Sequence, residues 1–226
     1  MTPRAILAGA ATALSLAWAG SAPAQEFVIL PDRVSDADFH RAVACAADPG
    51  GLCRKPMLRW PAERRRPLRV GIVSWPDMLA APRRRAFSIA LDRAVARLNA
   101  VGADVILARG ARPQIAVHVL ATPPGRIVEG TGDPLLDGTR LGLGHVVLRS
   151  RDGTITAATI GLSMHVAGRS LQSVMLEEVT QALGPITDIA GPAYSDSVFA
   201  EDANTAIRLS DQDAAALRLH YPKEDP

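Results

Sequence analysis

The sequence predicts one α+β domain on a mixed, twisted sheet, with a small N-terminal extension. Three observations carry this. Residues 68–75 (LRVGIVSW) alternate and are β-branched, residues 82–102 carry a helical stripe, and residues 144–166 form two alternating runs that meet at Asp152-Gly153. A period of two belongs to a half-buried strand and a period near 3.6 to an amphipathic helix. The order is strand, helix, several strands, helix, loop, helix, without an internal repeat.

The chain starts with Arg4, an apolar run from Ala5 to Trp18 and small residues ending in Ala22, Pro23 and Ala24. This is the pattern of a secretory signal peptide over residues 1–24, and the run is short of the roughly 20 apolar residues that span a bilayer. Removing 24 residues that carry only Arg4 leaves 202 and lowers the formal charge from +2 to +1. The expected location is periplasmic or secreted, with no stable membrane insertion after cleavage. Near-neutral charge and few aromatics argue against a nucleic-acid partner, so the basic runs Arg64–Arg66 and Arg83–Arg85 read as solvated faces.

Residues 25–66 form the extension. A helix over about Asp36–Ala46 has Ser35 and Asp38 placed as a capping box. Cys45 and Cys53 bracket a turn-rich stretch, and in an oxidising compartment such a pair reads first as a disulfide, two buried thiols being the alternative. Zinc is disfavoured there, with no His or further Cys at ligand spacing.

The main domain is read as residues 67–226. After the first strand, Phe87, Leu91, Ala94, Val95 and Leu98 share one helical stripe that stops at Gly102. DVILAR (104–109) and QIAVHVLA (114–121) read as strands, and residues 122–144 as a surface loop. In the second strand of the hairpin, Ile160, Leu162, Met164 and Val166 face one way and Thr159, Gly161, Ser163 and His165 the other. VMLEEVTQALG (174–184) reads as a helix with Met175, Val179, Ala182 and Leu183 on its apolar stripe. The last helix, near 211–220, has Ser210 and Asp213 as a second capping box and Pro222 as terminator.

On helix geometry alone, Glu177, Glu178 and Gln181 form the wet face of an amphipathic helix. Yet EEVTQALGPITD resembles the frame of a zincin protease, in which HExxH places two imidazoles and a general-base Glu on one helical turn. The metzincin form extends to HExxHxxGxxH. The resemblance implies Glu178 as general base and Gly184 at the turn, with Glu177, Gln181 and Thr187 where the histidines stand. Val198 or Phe199 takes the place of the Met-turn methionine, and LSDQDAAALRLHYP resembles the final helix of matrix metalloproteases. The strand TITAATIGLSMHV occupies the place of the edge strand that pairs with substrate.

Over residues 155–222 the chain more specifically resembles an uncharacterised secreted bacterial family, the domain of unknown function numbered 2927. That family's pattern is approximately EExTQxLGLxND, then SIF, then LTxxDxxLLRxLYdP. This sequence departs from it at Pro185 and Thr187.

The resemblance implies a zincin-like fold with a degenerate motif. A classical zinc site is not expected, because a carboxylate and an amide reproduce imidazole coordination poorly. The cofactor is unknown. Glu177 and Gln181, with Asp188, could offer oxygens to calcium, magnesium or manganese, and His165 could reach the site from the neighbouring strand. His40 lies in the extension, and His118, His145 and His220 read as structural. No nucleophile elbow, phosphate loop or dinucleotide fingerprint is present.

Three readings of function stay open. The first is a non-zinc pseudo-peptidase that binds a peptide or envelope protein. The second is a hydrolase using Glu178 as base with an unusual metal or none. The third is a structural or assembly factor of the envelope.

Overall fold

The computed structural model describes residues 27–201 and 205–223; the expected signal peptide, residues 1–24, lies outside them. Seven strands and four helices follow in the order β1 (Phe27–Ile29), α1 (Asp36–Cys45), β2 (Leu68–Ser74), α2 (Ala81–Ala100), β3 (Leu107–Arg109), β4 (Ile115–Leu120), β5 (Gly144–Arg151), β6 (Thr154–Ser163), α3 (Gly168–Gln181), β7 (Asp188–Ala190) and α4 (Asp211–His220).

The main sheet has the order β3-β2-β4-β6-β5. All its pairings are parallel except β5 with β6. Register stacks Val70 and Ile72 beside Ile115 and Val117, then Ala158 and Ile160, then Leu148 and Val146, all on one face. That face is apolar in β2, β4, β6 and β5, and Phe87, Leu91 and Ala94 of α2 join it with Met175 and Val179 of α3 in one core.

Two sequence expectations change here. The edge strand beside β6 is β5; β6 itself lies between β4 and β5. The reason is the buried length of β6, whose residues from Ala158 to Ser163 are covered on both faces. The second concerns residues 122–143, read as a surface loop. They fold over the opposite face of the sheet, burying Val128, Leu136 and Leu141 with Leu120 in a small core of their own. Gly161 makes room for them, since a Cβ there would meet Leu120, Leu136 and Leu141. Thr159 and Ser163, expected on a polar face, are buried beneath this cover.

The N-terminal segment is part of the same core. β1 pairs in parallel with β7, and Phe39 of α1 stacks on Tyr194 at 5.3 Å and meets Phe199 edge-on at 6.2 Å. Ser35 caps α1 by accepting from the Asp38 amide at 3.1 Å, and Cys45 and Cys53 form a disulfide. The capping box of α4 is present as expected. Its Asp213 accepts from Ser197 Oγ at 2.6 Å, Val198 N at 3.1 Å and Ser210 N at 2.8 Å, tying SVF to LSDQD.

Between α1 and α4, His40 Nε2 lies 3.1 Å from His220 Nδ1, and His220 Nε2 lies 2.8 Å from Leu58 O. One tautomer satisfies both contacts: His220 donates from Nε2 to the carbonyl and accepts at Nδ1 from His40. Burial holds His40 at about 4 and His220 at about 3, with nearby Arg59 pushing both the same way.

The unfolded chain protonates these imidazoles near 6.5 while the folded chain does not, so stability rises with pH across this window and is lost on acidification. Each histidine should cost about 2 kcal/mol between pH 6.5 and pH 5. Urea unfolding at the two pH values should show a smaller acid loss for His40→Gln than for the wild type; equal losses would contradict the neutral pair.

Candidate functional site: a buried carboxyl and amide cluster on α3

Helix α3 is buried around nearly its whole circumference from Ser173 onward. The expectation of a wet face is therefore corrected. Glu178 is 5% exposed and Gln181 6%, and of the three only Glu177 keeps partial access to solvent. The apolar stripe of Met175, Val179, Ala182 and Leu183 packs into the core. The other side is roofed by the start of β5. A Cβ at Gly144 would stand 2.3 Å from Glu178 Oε1, 2.7 Å from its Cγ and 2.6 Å from Val174 Cγ1. Glycine at 144 is what lets the edge strand lie directly on the Glu178 side chain.

The C-terminal end of α3 is fixed from three directions. Trp60 Nε1 donates to Ala182 O at 2.8 Å, the Tyr221 hydroxyl donates to Leu183 O, and that hydroxyl accepts from Trp60 N at 3.0 Å. These bonds satisfy carbonyls that a helix end leaves without partners. Gly184 then turns the chain at φ 123°, where a Cβ would collide with Leu58 O.

The turn brings Asp188, at the start of β7, back to α3. Gln181 Nε2 donates to Asp188 Oδ1 at 2.7 Å, and Asp188 is 3% exposed. Burial raises the Glu178 carboxyl well above its ordinary range, and the negative charges of Glu177 and Asp188 push it further. Both causes favour the protonated form of the carboxyl. Its Oε2 is buried with no hydrogen-bond partner among the described residues.

The structure thus brings together Glu177, Glu178, Gln181 and Asp188. It leaves His165 out: that residue follows the end of β6, is exposed, and its backbone N–H contacts Ser163 Oγ at 3.4 Å. Thr187 sits beside the cluster with its amide bonded to Val43 O at 3.0 Å and its hydroxyl buried.

The cluster supplies oxygens and an amide N–H, with no imidazole or thiolate, a set that does not suit zinc. Among the described residues no three His, Cys, Asp or Glu side chains are grouped to hold a metal ion. A groove of about 510 Å³ lies at the opposite end of α3, lined by Arg169, Asp196 and Arg208 among others, and the cluster does not border it.

In the sequence Gly144 is marked only as the first residue of the hairpin. A glycine opening a strand carries no local sign that a helix 34 residues later needs the space.

Residues 37–224 match the model of a family described as "Protein of unknown function (DUF2927)". No curated protein matches the chain.

Gly144→Ala should destabilise the protein by about 1–3 kcal/mol, the range for overpacking a filled core. Combined with Glu178→Ala, which removes the atoms in the way, the same change should cost less than half as much. A double-mutant cycle from urea unfolding measures the coupling; additive costs would place Glu178 away from β5.

Proposed function

We propose a function from the premise that the chain belongs to the DUF2927 family of proteins of unknown function: it is a zincin-like protein of the bacterial envelope that binds an extended peptide and does not cut it. The Cys45–Cys53 disulfide fits an oxidising compartment. No helix among the described residues is long and apolar enough to cross a membrane. Both are compatible with a periplasmic or secreted protein.

The single observation that carries the reading is the state of Glu178. In a metal-dependent peptidase the glutamate of the helix must be ionised to take a proton from the attacking water, which it then passes to the leaving amine. Here the carboxyl is sealed under Gly144 and away from solvent, and its burial favours the protonated form over the carboxylate a base needs. The runner-up reading, hydrolysis with Glu178 as base, would need β5 to lift away first.

The feature suited to binding is the outer side of β5. Ser163 N donates to Leu143 O at 2.9 Å. By the alternation of an antiparallel ladder, His145 and Val147 then point their backbone groups at β6, and Val146 and Leu148 point theirs outward. Among the described residues no strand pairs with that side. An unpaired edge is a template on which an extended peptide can add a strand.

Selection from a random peptide library displayed on phage should yield binders whose affinity falls at least tenfold with Val146→Pro, which deletes an outward donor. The same binders should be indifferent to chelator and to Glu178→Gln. Peptide cleavage that Glu178→Gln abolishes would favour the hydrolase instead. Binders unaffected by Val146→Pro would exclude the β5 edge.

A further inference from the structure

On the sheet face turned away from α2 and α3, at the carboxyl ends of β2 and β4, three side chains from separate elements meet. Ser74 Oγ is 2.9 Å from His118 Nδ1, and His118 Nε2 is 3.6 Å from Asp133 Oδ2. Ser74 is the last residue of β2, His118 lies in β4 and Asp133 belongs to the covering segment 122–143. None of the three belongs to the α3 cluster.

The local backbone is shaped for this contact. β2 and β4 stay in register from Val70 to Ile72, and then the register slips so that Ser74, instead of Val73, stands opposite His118. One extra residue at Val73 turns the Ser74 hydroxyl onto the face that carries His118. A bulge of this kind re-aims a side chain and interrupts the ladder that a regular strand would continue. The carboxyl ends of parallel strands are also where open sheets leave room for ligands.

Asp133 is held from several directions. Its Oδ2 accepts from Thr159 Oγ1 at 3.1 Å, its Oδ1 accepts from Leu135 N at 2.9 Å, and its own amide donates to Thr131 Oγ1 at 3.0 Å. A carboxylate fixed beside Nε2 keeps the proton on that nitrogen and leaves Nδ1 as the acceptor facing Ser74. The tautomer required of a general base is therefore the one the surroundings select. The His118 side chain is 12% exposed, that of Asp133 is 22% exposed and Ser74 is half-buried, so the group is largely covered and solvent reaches only its rim.

We propose that Ser74, His118 and Asp133 form a reactive serine site that accepts the acyl group of small activated esters. Ser74 Oγ attacks the carbonyl carbon while its proton passes to His118 Nδ1, and a bond forms between Oγ and the acyl carbon. The ester C–O bond breaks and the leaving alkoxide takes the proton from His118, leaving acyl-Ser74. Water, deprotonated at the same nitrogen, then releases the carboxylic acid and restores the serine. Asp133 is a positioning residue that sets the imidazole tautomer.

The test is covalent labelling of the full mature chain with a fluorophosphonate probe, mapped by peptide mass spectrometry, alongside the burst of p-nitrophenol from p-nitrophenyl acetate. Ser74 should carry the adduct and account for the burst. His118→Gln should slow labelling at least tenfold, and Asp133→Asn should slow it less while the folded protein keeps its melting temperature. Ser74→Ala, a change of one oxygen, should abolish both signals, and Glu178→Gln should leave them unchanged. No adduct on Ser74 in the wild type would overturn the proposal. So would labelling of Ser74 at the wild-type rate in folded His118→Gln, since Ser74 would then be merely exposed.

Discussion

A carboxyl group withdrawn from water beside two other acids is pushed toward its protonated form, and the packing of α3 encloses such a group. Ionised, Glu178 would face Glu177 and Asp188 in a medium too poor in water to screen them. Protonated, it is a compact polar side chain on which the edge strand can rest. Gly144 closes over it at a distance no other residue would permit. The seating of β5 therefore depends on the absence of a side chain at 144 above Glu178 and Val174.

The remainder of the α3 frame is held by groups far away in sequence. Trp60 and Tyr221, from opposite ends of the chain, bind each other and together occupy the last carbonyls of the helix. His40 and His220 repeat the pattern one layer away, joining α1 to α4 and reaching Leu58. The N-terminal segment thereby fixes the end of α3 and the turn to Asp188, instead of hanging from a finished domain. The turn so held brings Asp188, seven residues beyond Gln181, within hydrogen-bond reach of it.

What could be read from the sequence was whatever depends on near neighbours. Ser210 with Asp213 forms the capping box as read, while at α1 Ser35 accepts from the Asp38 amide and donates its hydroxyl to the Asp38 carboxylate, a cap in place of the full box. The alternation of 68–75 and the stripe through Phe87, Leu91 and Leu98 likewise became strand and helix. The disulfide followed from eight residues of separation and the expectation of an oxidising compartment. What escaped was long-range. Glu178 and Gln181 look like a solvated face until Gly144 and Asp188 are brought against them. β6 looks like an edge until β5 is seen outside it. The leucines of the 122–143 segment, scattered among glycines, show no period that announces a small core. Ser74 and His118 meet only because of a bulge, which leaves no trace in one sequence.

The most direct measurement is a 13C NMR titration of the glutamate carboxyl carbons, with Glu178 assigned by comparison with Glu178→Gln. The account predicts that the Glu178 carbon keeps the shift of a protonated carboxyl to a pH well above the ordinary carboxyl range. A Glu178 signal that titrates at the ordinary value would contradict it, because a carboxyl that ionises so readily would be hydrated and Gly144 could not lie on it.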